Sequence, residues 1–235
     1  MISMYTGLPG SGKTTQLACI ALEKLHGFKK LKKVGIKPRL FSNIKFSPEI
    51  EKEFGVVGGV EGKGGCEYIN YFSDIYEMPT WTDSEIFIDE SAVYFDSRLW
   101  DTLPREIRRF LFTHRHLGTN LHMIAQDFST IDNSFRRLTA KLFMVRKILS
   151  SREPSPLKKP LRFPYNFCTI NSVKKEHWQL EKEHYSYDHT ALRLFTRKHF
   201  AIFDTRQSLP DQKLPPLRKE VRVCLEDGYK RTRYI

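Results

Sequence analysis

Short apolar runs alternate with segments of helical spacing as far as residue 150. Residues 2–5 read as a buried strand. Residues 14–26 follow with Leu17, Ile20, Ala21 and Leu25 on one helical face, and Gly27 is expected to stop that helix. Residues 40–46 read as a strand, and Ser47-Pro48-Glu49 opens a short helix, with serine as cap and proline in its first turn. Between residues 55 and 65 the glycines Gly55, Gly58, Gly59, Gly62, Gly64 and Gly65 predict a mobile loop. Strands are predicted over 67–72 and 85–88, the latter ending in Asp89-Glu90. An amphipathic helix follows over 104–117, with Pro104 at its start and Gly118 past its end. Residues 120–126 read as an apolar strand, 129–138 as a short helix, and 140–148 as a segment of partial β character. Strand and helix in alternation imply an α/β fold, with a mainly parallel sheet flanked by helices on both faces.

The pattern changes near Ser150. Pro154, Pro156, Pro160 and Pro164 lie among basic residues and mark 151–164 as a loop or linker. Beyond it, 167–170 and 200–205 suggest a small irregular C-terminal extension, and the chain from Pro210 onward is basic and proline-containing. The expected organisation is a core over 1–150, an extension over 151–209, and a partly ordered basic tail over 210–235. The longest apolar run, 17–22, falls far short of the roughly 18 residues of a membrane span. Strand and glycine-rich loop begin at once, which leaves no room for a secretory leader and predicts a cytoplasmic chain. Cys19, Cys66, Cys168 and Cys224 are widely spaced and predict reduced thiols rather than a disulfide framework. His114 and His116 read as structural or surface residues rather than metal ligands, because no further ligand cluster lies near them.

Candidate chemistry begins at Gly7-Leu8-Pro9-Gly10-Ser11-Gly12-Lys13-Thr14, which matches the Walker A phosphate loop at every fixed position. Glycines let such a loop turn its N–H groups inward around a phosphate chain, and the helix that follows adds its positive end. Residues 7–15, Thr15 included, are therefore the candidate ATP-binding set. Lys13 is assigned to neutralise β- and γ-phosphate charge, and Thr14 to hold Mg²⁺. Asp89 and Glu90, at the carboxyl end of an apolar strand, read as a Walker B pair. Asp89 would hold a Mg²⁺-bound water, and Glu90 would polarise the water that attacks the γ-phosphate. The competing reading is that both cap the next turn. Gln126, at the end of another apolar strand, could sense the γ-phosphate if that strand lies between those carrying Lys13 and Asp89. Arg115, Arg136 and Arg137 flank that strand and are the candidate arginine fingers.

A formal net charge of +12 favours polyanionic partners, nucleic acid or an acidic membrane face. The charge is spread over Lys29, Lys30, Lys32 and Lys33; Arg105, Arg108, Arg109 and Arg115; Arg136, Arg137 and Lys141; Lys158 and Lys159; and the tail with Arg218, Lys219, Arg222, Lys230, Arg231 and Arg233.

The phosphate loop, Ile88-Asp89-Glu90, the block His114-Arg115-His116-Leu117-Gly118-Thr119-Asn120 leading to Ala125-Gln126, Ile131-Asp132 and the later Phe203-Asp204-Thr205 together resemble the zonula occludens toxin (Zot) family. That family includes the assembly ATPases of filamentous phages. The resemblance spans about residues 1–205. It implies a P-loop ATPase of the additional-strand, catalytic-glutamate class, related to FtsK–HerA motors, that moves or extrudes a viral genome during virion assembly. It also implies viral DNA as a partner and recruitment by a viral coat or membrane protein. A homo-oligomer is expected because a single small P-loop domain has few ways to complete its catalytic site or grip DNA alone. Filamentous-phage members usually carry a membrane span after the ATPase domain, and this chain shows none. The alternatives are a small-molecule kinase of nucleotide type and an ATP-binding scaffold that does not hydrolyse.

Overall fold

The computed structural model describes residues 1–32, 38–98, 102–150, 166–178, 186–203, 220–224 and 230–234. The expected linker 151–164 lies outside these ranges, as do Lys33, Lys158, Lys159, Asp204, Thr205, Arg218 and Lys219.

Eight strands form one sheet in the order β3-β2-β4-β5-β1-β6-β7-β8. They are β1 (Ile2–Thr6), β2 (Arg39–Ser42), β3 (Ile69–Tyr71), β4 (Ser84–Ile88), β5 (Asn120–Ile124), β6 (Lys141–Ser150), β7 (Asn166–Val173) and β8 (Tyr187–Phe195). From β3 to β6 every pairing is parallel, and β6, β7 and β8 form an antiparallel meander on the same sheet. This is the P-loop NTPase architecture, with six parallel strands that need crossovers and two more, β7 and β8, added to β6 as antiparallel neighbours. Helices α1 (Lys13–Lys32), α2 (Pro48–Phe54), α3 (Ala92–Phe95), α4 (Arg105–Thr113), α5 (Asn133–Leu138) and α6 (Arg197–Phe200) complete the unit. Two further strands, β9 (Glu220–Cys224) and β10 (Lys230–Tyr234), pair with each other in a separate antiparallel ladder.

Side chains alternate across the sheet and divide the core in two. Ile2, Met4, Ile86, Ile88, Leu121 and Met123 pack on one face with Ile107, Phe110 and Leu111 of α4 and Phe135 of α5. Tyr5, Phe87, Ile124 and Val145 pack on the other with Leu17, Ala18, Ala21, Leu25 and Phe28 of α1. Burial on both faces is why the central strands read as unbroken apolar runs. Glu85 carries a charge into the sheet. Burial pushes the Glu85 carboxyl upward, but bonds from His122 (2.8 Å) and Lys24 (2.7 Å) hold it below the ordinary carboxylate range.

Several elements depart from the sequence expectations. The helix expected over 104–117 ends at Thr113, four residues early. Helix α1 runs through Gly27 as far as Lys32. A glycine inside a helix costs about 1 kcal/mol. Phe28, buried beside the Tyr68 ring at 5.8 Å, returns about 2 kcal/mol, so packing wins. Strand β2 ends at Ser42 rather than at 46, because Ser42 Oγ takes up the Ile44 N–H (2.9 Å) and the chain turns. The helix expected over 129–138 is split into a 3-10 turn (Phe128–Thr130) and α5. Asp127 and Asp132 each cap a separate start, accepting from the backbones of Ser129 (2.9 Å) and Ser134 (2.7 Å). Ile131 between them is extended, fully buried, and bridged to Asp96.

The glycine-rich loop is closely packed where Gly55 meets it. Gly55 adopts φ +73°, and a Cβ there would stand 1.7 Å from the Cys66 carbonyl oxygen. Gly58 shares a positive φ (+70°) but faces open space. Gly55→Ala is therefore expected to destabilise the fold by about 3 kcal/mol or more, combining overpacking with the left-handed penalty. Gly58→Ala should cost only about 1 kcal/mol. Denaturant melts of the two variants check this, and equal losses would show that the contact at Gly55 does not decide the outcome.

Candidate nucleotide site

The site forms at the carboxyl edge of the parallel strands. The loop between β1 and α1 is held by its own backbone, with Ser11 N–H donating to Leu8 O (3.2 Å) and Gln16 N–H to Gly12 O (2.9 Å). Lys13 is only 8% exposed, and its ammonium donates to the carbonyls of Gly7 (2.8 Å) and Leu8 (2.9 Å), folding back over the loop. Thr15 is buried on the first turn of α1, and the Leu8 side chain is exposed.

The meander braces the back of this loop. The Cys168 thiol on β7 donates to Ser11 O at 3.2 Å. Gly12 adopts φ +93°, and a Cβ there would come within 3.2 Å of both Cys168 Sγ and the Phe195 ring of β8. Burial holds the Cys168 thiol above its ordinary range, so it remains a neutral packing group. Neither Cys168 nor Phe195 was singled out from the sequence, since nothing local marks a residue that far along the chain as a neighbour of the phosphate loop.

Across the crevice β4 ends at Ile88 and delivers Asp89. Asp89 Oδ2 accepts from the Thr14 hydroxyl at 2.9 Å, and Oδ1 accepts from the Glu90 N–H at 2.8 Å. The backbone of Asp89 is held from the β2 side by Asn43. Asn43 Oδ1 accepts from the Asp89 N–H (2.8 Å), and Nδ2 donates to Asp89 O (2.9 Å). From the β5 side, Ser91 donates both its N–H and its hydroxyl to Ile124 O, each at 2.7 Å. Glu90, between these clamps, is exposed and adopts φ +50°. That left-handed geometry costs a non-glycine residue about 1–2 kcal/mol. Net worth of about 1 kcal/mol per hydrogen bond lets the four flanking bonds outweigh the strain.

The structure brings Lys13, Thr14, Asp89 and Glu90 to one edge. Strand β5 lies between β4 and β1, the arrangement on which the Gln126 reading was conditional, and Gln126 itself is exposed just past the end of β5. Arg115 precedes β5 and so belongs to the opposite edge, while the Arg136 guanidinium stands 5.9 Å over the Phe128 ring on α5's side of the sheet. His114 is buried, and its Nδ1 lies 2.7 Å from Leu111 O at the end of α4. Asn43 and Ser91 were also missed. Their only sequence signal is a polar residue directly after a short apolar strand (Asn43) or directly after the acidic pair (Ser91).

The residues fit a phosphate chain with a divalent cation. Ser11 Oγ is buried without a hydrogen-bond partner among the described residues, within a loop of amides beside an ammonium. Burial also pushes the Asp89 carboxyl above the ordinary carboxylate range, opposed by the Thr14 hydroxyl, the Glu90 N–H and the Lys13 charge. A desolvated carboxylate beside a hydroxyl is what a hard cation with oxygen ligands relieves.

The sign of that shift gives a test. A cation binds the ionised carboxylate, so protonation of Asp89 competes with it. Affinity for Mn²⁺ with a non-hydrolysable ATP analogue should fall as pH drops through the Asp89 titration and level off above it. Calorimetry across pH checks this. An affinity that follows pH identically in Asp89→Asn would remove Asp89 from the cation site.

Comparison with a solved structure agrees with this architecture. The N-terminal domain of zonular occludens toxin from Neisseria meningitidis matches with a TM-score of 0.51 and 19% sequence identity, covering 86% of this chain and 98% of that one. The genome packaging NTPase B204 from Sulfolobus turreted icosahedral virus 2, in complex with ATP-gammaS, matches with a TM-score of 0.41 and 16% identity, covering 74% and 96%. Among curated protein sequences none matches. The family model described as Zonular occludens toxin (Zot) matches residues 1–188, and with four-fifths of its length so matched the chain belongs to the Zot family.

Proposed function

We propose that this protein is an ATPase of viral assembly, coupling ATP hydrolysis to the packaging or extrusion of a nucleic acid genome. The observation that carries the reading is the 2.9 Å bond from Thr14 to Asp89, which joins the two halves of a nucleotide site in a member of the Zot family. Residues 7–15 cradle the phosphates, and Lys13 leaves its carbonyl partners to neutralise the β- and γ-phosphates. Thr14 and Asp89 would hold Mg²⁺, which when bound supplies charge neutralisation on those same phosphates. Glu90, exposed at a strained corner, orients the attacking water and takes its proton. Gln126 senses the γ-phosphate from the end of the intervening strand. The position of β5 between β1 and β4 supports the additional-strand, catalytic-glutamate class.

A polyanion has a surface to meet. On α4 and the turn after it, Arg105, Arg109, Arg115 and His116 are exposed, and Phe112 among them is 57% exposed. Arg137 on α5 is exposed as well. Among the described residues none of these arginines pairs with a carboxylate. Arginines interleaved with an aromatic ring suit phosphates and stacked bases of single-stranded DNA. Among the described residues no helix is long and apolar enough to cross a membrane; a viral coat or membrane protein is the proposed partner. A homo-oligomer would let Arg115, Arg136 or Arg137 reach a neighbour's phosphates.

Phosphate release measured with and without single- and double-stranded DNA, alongside solution mass, tests the reading. Lys13→Ala should abolish nucleotide binding. Glu90→Gln should bind ATP and hydrolyse it about a hundredfold more slowly. Parental turnover in Glu90→Gln would exclude Glu90 as the base, and phosphate transfer to a nucleoside monophosphate would favour a kinase instead.

DNA affinity should fall steeply with salt, and Arg109→Ala should shallow the logarithmic slope by about one. An unchanged slope would remove α4 from the interface.

A further inference from the structure

Strand β2 pairs with β4 only as far as Ser42 opposite Phe87, with Asn43 N–H reaching Phe87 O at 3.3 Å. On the other side of β4, pairing with β5 stops at Ile88 opposite Met123. The peptide groups of Asp89 thus lie one step beyond both ladders. The Asn43 side chain extends the β2 ladder by that step. One carboxamide presents one acceptor and one donor, and Asp89 uses both through its N–H (2.8 Å) and its C=O (2.9 Å). The match also settles which end of the carboxamide is oxygen, because the reverse assignment would face donor with donor.

Asn43 is itself held rigidly. It is 6% exposed. Its turn is locked by Ser42 Oγ, which accepts from Ile44 N–H (2.9 Å) and donates to Ile44 O (3.0 Å). Three residues on, Phe46 N–H donates to the Tyr71 hydroxyl (2.8 Å), which donates to Glu51 (2.8 Å). What Asn43 orients is a residue whose two carboxylate oxygens are already divided, Oδ2 toward Thr14 and Oδ1 toward Glu90 N–H. A small rotation of the Asp89 peptide would move both.

We propose that Asn43 is a positioning residue for nucleotide hydrolysis: its carboxamide holds the backbone of Asp89 so that the carboxylate meets Thr14 and the cation, and so that Glu90 keeps its exposed left-handed pose. This rests on the nucleotide reading above. It assigns Asn43 no contact with the nucleotide, so its effect runs through cation binding and turnover rather than through phosphate affinity.

Asn43→Ala removes both bonds. Asn43→Asp keeps the size and the acceptor but loses the donor, and it decides the matter if the alanine variant does not fold. Binding of a non-hydrolysable ATP analogue is measured with and without Mg²⁺, together with kcat, KM and thermal melting. Affinity without Mg²⁺ should match the parent, while the gain on adding Mg²⁺ and the value of kcat should each fall about 10–100-fold, as expected for residues that orient a metal ligand. A Mg²⁺ gain and kcat equal to the parent's in both variants would overturn the proposal. So would equal losses of affinity with and without Mg²⁺, which would mark a general structural role. A parent chain that binds no nucleotide at all would instead overturn the phosphate-loop reading, and this one with it.

Discussion

The hydrogen bond between the Thr14 hydroxyl and the Asp89 carboxylate is the contact on which the site depends. Its partners lie 75 residues apart, one on the first turn of α1 and the other just past the end of β4. It can form only if β1 and β4 run parallel and finish at the same edge, with the intervening β5 setting their separation. The two apolar layers make that arrangement obligatory. Each central strand has side chains in both, so slipping one strand by a residue would exchange its faces and expose a set of buried groups.

The acidic corner then shows how a weak local geometry is kept. Glu90 adopts a backbone conformation that disfavours its side chain, and it faces solvent where packing cannot hold it. Hydrogen bonds on either side do so instead, from Asn43 toward β2 and from Ser91 toward β5. Strain retained by its surroundings at a polar, exposed residue is the pattern expected of a reacting group. The phosphate loop is supported in a parallel way. Its outer side is open, whereas behind it lie Cys168 and Phe195 from strands joined to the sheet far later in the chain. The antiparallel meander thus braces the phosphate loop from behind.

Elements with a strong local signal were legible in advance: β1, the phosphate loop, the apolar run ending in Asp89-Glu90, and β5 up to Gln126. Two of the misreadings share one cause. Gly27 is a helix stop by propensity, yet Phe28 one residue later gains more by packing on Tyr68 than the glycine loses. The stretch 129–138 has helical spacing, yet Asp132 restarts the helix because buried Ile131 is needed in an extended link to Asp96. In each case a contact with a distant residue outweighed a local preference of about 1 kcal/mol.

By itself the sequence determined the candidate chemistry, because a phosphate loop and an acidic strand end are local devices whose residue types and spacing point to a nucleotide. It also determined the α/β class, through the two alternating periods. Only the tertiary structure decided which carboxylate meets Thr14, that β5 lies between β1 and β4, that Cys168 and Phe195 stand behind Gly12, and that Asn43 holds the peptide of Asp89. Those relations depend on strand order and register, which are set by the sum of buried contacts over the whole sheet and leave no mark on neighbouring residues.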